Sequence, residues 1–220
     1  MMLTGPQFQP RRGGKPKKLV VLLHGYGSNG DDLISLAPHW APAMPDALFV
    51  SPNAPEPVPG FAGGFQWFGL TSLDPHRMEG GARAASGPLN AFLDAQLTAH
   101  QLSPAQCALV GFSQGAMMAM YVALRREEPV AGIVAFSGAL IGAGSLASQM
   151  RAKPPILIVH GVQDDRVPVA AAQSAAEALA KAGHGARVEL RPRLGHSIDA
   201  EGVASARDFL AECFAPRIIP

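Results

Sequence analysis

Gly111-Phe112-Ser113-Gln114-Gly115 stands between a β-like run, Cys107 to Val110, and a helix-like run, Ala116 to Arg126. A serine on such a strand-to-helix elbow has its hydroxyl presented as a nucleophile at the edge of a sheet. The pattern alone is weak in a chain with 24 glycines, which meet it by chance. The flanking strand and helix, and two motifs further along, carry the inference.

Working outward, Lys18 to Leu23 (KLVVLL) and Ile156 to His160 (ILIVH) are continuous apolar runs, as expected of strands buried on both faces. Ala47 to Val50, Gly132 to Phe136 and Val188 to Leu190 read the same way. Helical segments lie between them: Asp31 to Trp40, about Arg83 to Gln101, Gln114 to Arg126, Ala170 to Ala182 and Gly202 to Phe214. This alternation predicts an α/β fold with a mostly parallel central sheet and helices on both faces. Ligands of such sheets bind beyond the carboxyl ends of the strands. There the chain carries His24-Gly25-Tyr26-Gly27, Ser113, Ser137-Gly138, Asp164-Asp165 and Gly195-His196-Ser197.

A chain of 220 residues, 48% hydrophobic, is long enough for one substantial core. We expect an N-terminal arm over residues 1–17 and a single domain over 18–220, with a substrate-side loop at about 51–81. That loop is rich in proline, glycine and aromatics (Phe61, Phe65, Trp67, Phe68) and reads as a partly ordered flap beside the site. Eighteen Lys plus Arg balance 17 Asp plus Glu, so no net field draws in nucleic acid or an anionic membrane. The basic cluster from Arg11 to Lys18 is expected to belong to a solvated entry arm. With neither an apolar leader nor a membrane-length stretch, the chain reads as soluble and cytoplasmic. Cys107 and Cys213 have neither disulfide-framework nor metal-ligand spacing and are expected to be packed thiols.

A serine hydroxyl needs an imidazole to accept its proton, and the imidazole needs a carboxylate to fix its tautomer. On this kind of elbow the partners follow the serine in the order acid, then histidine. The loop after ILIVH offers two acids, Asp164 and Asp165. Of seven histidines, only His196 lies in a short loop between the last strand and the last helix. His24 is expected to play a structural hydrogen-bonding role, His160 to be a satisfied core residue, and His39, His76, His100 and His184 to be surface or loop positions. Oxyanion donors are expected from the backbone N–H of Gln114 and, in the glycine-rich loop after the first strand, of Tyr26.

Four stretches in order, LLHGYGSNGDDL, GFSQGA, HGVQDDRVP and LGHS, resemble the phospholipase/carboxylesterase family of α/β-hydrolases across about Lys18 to Phe214. The resemblance implies a cofactor-free, metal-free serine esterase with Ser113 as nucleophile, Asp164 rather than Asp165 as the acid, His196 as the base, and Tyr26 and Gln114 amides at the oxyanion. It implies activity on short- to medium-chain esters, with lysophospholipid or thioester cleavage in relatives. Three positions depart from the family pattern: Gly69 follows Trp67-Phe68 where an acid is usual, Gly138-Ala139 stands where a bulky aromatic is usual, and Arg166 replaces an aliphatic residue. These imply a wider pocket with a polar rim. Trp67, Phe68, Leu70 and Val167 are the candidate acyl-site residues, each equally readable as packing.

The expected partner is a small-molecule ester; nucleic acid and stable membrane insertion are not expected, and the sequence leaves a homodimer open. Competing readings are an acyl-protein thioesterase or lysophospholipase and, from another class, a non-catalytic hydrolase-fold binder of a hydrophobic ligand. A dienelactone-type hydrolase would need cysteine at position 113. A peptidase would need an added domain to hold an extended peptide.

Overall fold

The computed structural model describes residues 2–70 and 74–215. Parts of two expectations fall outside them: residues 71–73 of the substrate-side loop, and the two ends of the chain at residue 1 and residues 216–220.

The chain runs β1 (Gln7–Phe8), β2 (Lys18–Leu23), α1 (Gly30–Ile34), α2 (Ala37–Trp40), β3 (Ala47–Val50), β4 (Glu56–Pro57), β5 (Phe65–Gln66) and α3 (Pro75–His100). It continues through β6 (Cys107–Phe112), α4 (Gln114–Ala123), β7 (Gly132–Phe136), α5 (Ala143–Gln149), β8 (Ile156–Gly161), α6 (Ala170–Lys181), β9 (Arg187–Arg191) and α7 (Ala200–Cys213). Seven strands form one sheet in the order β1-β3-β2-β6-β7-β8-β9. Its neighbours pair parallel from β3 through β9, and only β1 joins antiparallel.

Side chains alternate across a strand, so β2 feeds two cores. Leu19, Val21 and Leu23 pack with the buried residues of α3, α4 and α6, while Val20 and Leu22 pack with those of α1, α2 and α7. A Trp40 Nε1–H to Val203 carbonyl bond of 2.9 Å ties α2 to α7. Every residue of α4 is buried, as a helix must be when it starts on the central strand and crosses the middle of the sheet. Charged residues alternate along the edge strand β9, with Arg187, Glu189 and Arg191; such residues blunt an open edge.

The first residues of the N-terminal arm dock on the sheet. Gln7 and Phe8 pair with Val50 and Phe49, the Pro6 and Thr4 carbonyls accept from Ser51 and Asn53 N–H at 3.0 and 2.9 Å, and Leu3 is buried. The basic residues Arg11, Arg12, Lys15 and Lys17 are exposed, as expected of that cluster.

Helix boundaries also moved. The segment 31–40 is two short helices, because Pro38 has no N–H to bond Ile34 and continue the first. Conversely, α3 begins eight residues before the expected Arg83, at Pro75. Its start is fixed by the Asp74 side chain, which accepts from Arg77 N–H at 3.0 Å. Cys107 lies in β6, where burial pushes its thiol up to about 12, so it carries no thiolate at neutral pH.

Candidate active site

β6 ends at Phe112 and α4 begins at Gln114, so Ser113 makes the whole turn, at φ 54° and ψ −118°. A positive φ is uncommon for a residue with a side chain, and here the backbone is pinned from both sides. Ser113 N–H donates to the Phe136 carbonyl at 2.9 Å, and the Ser113 carbonyl accepts from Met117 N–H at 3.1 Å. The two glycines of the motif permit the tightness: a β-carbon on Gly111 would collide with the Gly115 backbone, and one on Gly115 with the Leu23 carbonyl. The Ser113 hydroxyl does not cap α4 and makes no hydrogen bond within the described residues.

The acid and the base meet because their loops interlock. Val162 N–H donates to the Arg191 carbonyl and Gln163 N–H to the Leu194 carbonyl, both at 2.9 Å, and Gly161 leaves no room for a side chain against Leu194 and Gly195. Asp164 is buried and its Oδ2 accepts from His196 Nδ1–H at 2.8 Å, while Oδ1 accepts from the N–H groups of Arg166 and Val167 at 2.9 and 2.8 Å. Asp165 faces solvent, 4.0 Å from Arg166. It is Asp164, therefore, that reaches the imidazole. Burial alone would raise the Asp164 pKa, but the Val167 and Arg166 amides and the His196 bond outweigh it and hold it below 3.8. With Nδ1 donating, Nε2 is the nitrogen left to accept a proton. The imidazole packs on Phe112, the residue before Ser113, with ring centres 4.8 Å apart.

His160, expected to be satisfied in the core, also faces the acid. Its Nε2 lies 2.7 Å from the Val167 carbonyl and 3.4 Å from Asp164 Oδ2, while its buried Nδ1 has no partner within the described residues. The sequence signal for this contact was only its spacing of four from Asp164.

His24 has the structural role expected of it. It is wholly buried; its Nδ1–H donates to the Gly25 carbonyl at 2.8 Å and its Nε2 accepts from Ala54 N–H at 2.9 Å, which fixes the neutral ring. Burial lowers its pKa, against a smaller upward pull from the Gly25 bond and Asp32. This clamps the loop carrying Tyr26 to the segment after β3. The Tyr26 and Gln114 N–H groups have no acceptor within the described residues, and Gln114 opens a helix whose first amides are unpaired by construction.

Residues 65–68 of the substrate-side loop form a brace. Phe65 exchanges bonds with Gly27 and Ser28 at 2.9 and 2.8 Å, and Trp67 Nε1–H donates to the His24 carbonyl at 3.0 Å. Trp67 and Phe68 are 1% and 4% exposed, so they anchor the loop and do not offer a surface to an acyl chain. Of the four expected contact residues, Leu70 and Val167 stay half-buried at the surface of the core. Nor does Gly138 widen a pocket, since a side chain there would meet Ala116. Arg166 is exposed, with its guanidinium 4.0 Å from Asp165.

The family model described as Phospholipase/Carboxylesterase matches residues 10–214. The chain is 30% identical to "Esterase YpfH" of Escherichia coli over 88% of its own length and 82% of the relative's. It is 30% identical to "Acyl-protein thioesterase 1" of Saccharomyces cerevisiae over 74% and 75% of the two chains. The crystal structure of esterase PE8 superposes with a TM-score of 0.92 at 42% identity, covering 97% of this chain and all of that one. A sheet of this order, a serine at its elbow and a family match across nearly every described residue agree: the chain belongs to the phospholipase/carboxylesterase family of α/β-hydrolases.

Proposed function

We propose that this carboxylic ester hydrolase cleaves short- to medium-chain esters through an acyl-Ser113 intermediate, and that residues 18–220 act as one catalytic domain. His196 Nε2 takes the Ser113 proton as Oγ attacks the ester carbonyl, then hands it to the departing alcohol. Asp164 holds the ring in the Nδ1–H tautomer and stabilises the imidazolium. Backbone N–H groups of Tyr26 and Gln114 receive the oxyanion; losing one such donor costs about 10²- to 10³-fold in rate. Water then cleaves the acyl-enzyme by the same route. Leu70 and Val167 flank the acyl chain. No cofactor or metal enters the scheme.

One observation carries this reading: the 2.8 Å bond from His196 to a buried, pKa-lowered Asp164, in a chain whose elbow serine leaves its hydroxyl unbonded among the described residues. Apo sites commonly close the serine–histidine bond only with substrate bound. Stoichiometric labelling of Ser113 by an organophosphonate, with a burst of alcohol product, is the expected result. A Ser113→Ala protein with undiminished esterase activity would overturn it.

The same constellation serves thioesters, and the yeast relative named an acyl-protein thioesterase supports that second reading. Comparing kcat/KM on an oxygen ester and its thioester separates the two. The described residues contain no helix long and apolar enough to cross a membrane, and we infer that the enzyme works as a soluble cytoplasmic protein.

A further inference from the structure

We infer that the cleft on the α1 side of His196 seats the alcohol half of the ester and selects neutral or cationic alcohols over anionic ones, an inference that rests on the Ser113 reading above. The cleft holds about 280 Å³ and shares the imidazole as one wall. Leu33, Leu36, Phe112 and Ile198 line it, Asp32 stands at its rim, and its lining contains neither lysine nor arginine.

The chemistry fixes which half of the substrate belongs there. In acylation Ser113 Oγ bonds the carbonyl carbon while its proton moves to Nε2. The carbonyl-to-alkoxy C–O bond then breaks as Nε2–H delivers that proton to the alcohol oxygen. The alcohol oxygen must therefore lie within hydrogen-bonding reach of Nε2. The body of the alcohol lies beyond it, in whatever space borders the ring away from the Tyr26 and Gln114 amides. The volume equals that of roughly nine waters, which suits an aryl or branched alkyl alcohol.

Its selectivity follows from Asp32, an exposed carboxylate whose position is fixed twice. Its Oδ2 accepts from the Ser28 hydroxyl at 2.6 Å, and its own N–H donates to the Asn29 side chain at 3.2 Å. With no cation in the lining to offset it, this charge attracts a cationic alcohol and repels an anionic one.

The test uses butyrate esters that share one acyl group: methyl, choline, the neutral tert-butyl isostere of choline, and an anionic analogue with carboxylate in place of one methyl. Leu36→Trp fills the cleft and should lower the ratio of kcat/KM for the tert-butyl isostere over the methyl ester by about tenfold or more. Decay of the butyryl-enzyme, which has already lost its alcohol, should not track that loss. Asp32→Asn should shift the choline-to-isostere ratio by about three- to tenfold toward the neutral ester and raise the rate on the anionic one. Ile198→Trp repeats the filling experiment from a second lining position if Leu36→Trp fails to fold. Equal slowing of methyl and bulky esters, or a shift in acyl-chain preference instead of alcohol preference, would overturn the inference. Phosphonate labelling at Ser113 in the same proteins tells that failure apart from a failure of the serine mechanism itself.

Discussion

The Gln114 side chain holds the Trp67 segment at both ends of its amide: Oε1 accepts from Trp67 N–H at 2.9 Å and Nε2 donates to the Phe68 carbonyl at 2.7 Å. The residue after the elbow thus fixes the loop that, through Trp67, fixes the Tyr26 loop. Gln114→Ala leaves two buried backbone groups without partners and should destabilise the protein by about 2 kcal/mol or more, read as a lower denaturation midpoint. The Gln114 N–H survives the substitution, so kcat should fall less than in Ser113→Ala.

Asp164 and Asp165 are neighbours with opposite expectations. Asp164→Asn removes the group that sets the His196 tautomer and should cost about 10⁴-fold in kcat. Asp165 pairs with Arg166 at the surface, and Asp165→Asn should leave kcat within about twofold. Equal losses in steady-state kinetics would refute the assignment.

With its pKa held below 3.8, Asp164 stays ionised through any mildly acidic assay. The decline of kcat/KM on acidification should therefore contain no step from Asp164 and follow a single proton uptake. A rate constant that stays flat into acid, or falls with two protons, contradicts the scheme. The Asp164 contribution to stability persists above 3.8 and is lost only as pH falls through the lower, folded value.

His24 adds a second pH dependence of the same sign, in a higher pH window. Burial lowers its pKa from 6.5, so between 6.5 and the folded value the unfolded chain binds a proton that the folded protein does not. Stability should fall as pH drops below 6.5 and level off at the folded pKa. Urea titrations at several pH values should show a shallower slope for His24→Gln than for the parent protein.

The parts legible in sequence were those with a single physical cause. Continuous apolar strands such as KLVVLL announced a sheet covered on both faces, and the order serine, acid, histidine followed from what each strand end carries, while the choice of Asp164 over Asp165 came from the family resemblance. The edge strand Gln7–Phe8 was invisible because two residues have no periodicity, and it exists only by pairing with Val50 and Phe49. Trp67 and Phe68 stayed open between two readings because an aromatic in a proline- and glycine-rich stretch looks the same whether it lines a site or anchors a loop. Only their bonds to His24 and Gln114 decide between the two. The Asp164-facing nitrogen of His160 depends on how one strand end curls, which no local pattern encodes.

A serine placed before a helix ordinarily folds its hydroxyl back onto an amide of the first turn, worth about 1 kcal/mol. At Ser113 the positive-φ backbone goes with an uncapped helix start, so in the proposed scheme one twist of the chain frees an oxygen to react and the neighbouring amides to greet the charge it creates. The molecule is thereby less stable than its sequence could make it. Glycine at position 113, comfortable at φ 54°, should yield a sturdier but inert protein, a ready host for trapping intact substrate.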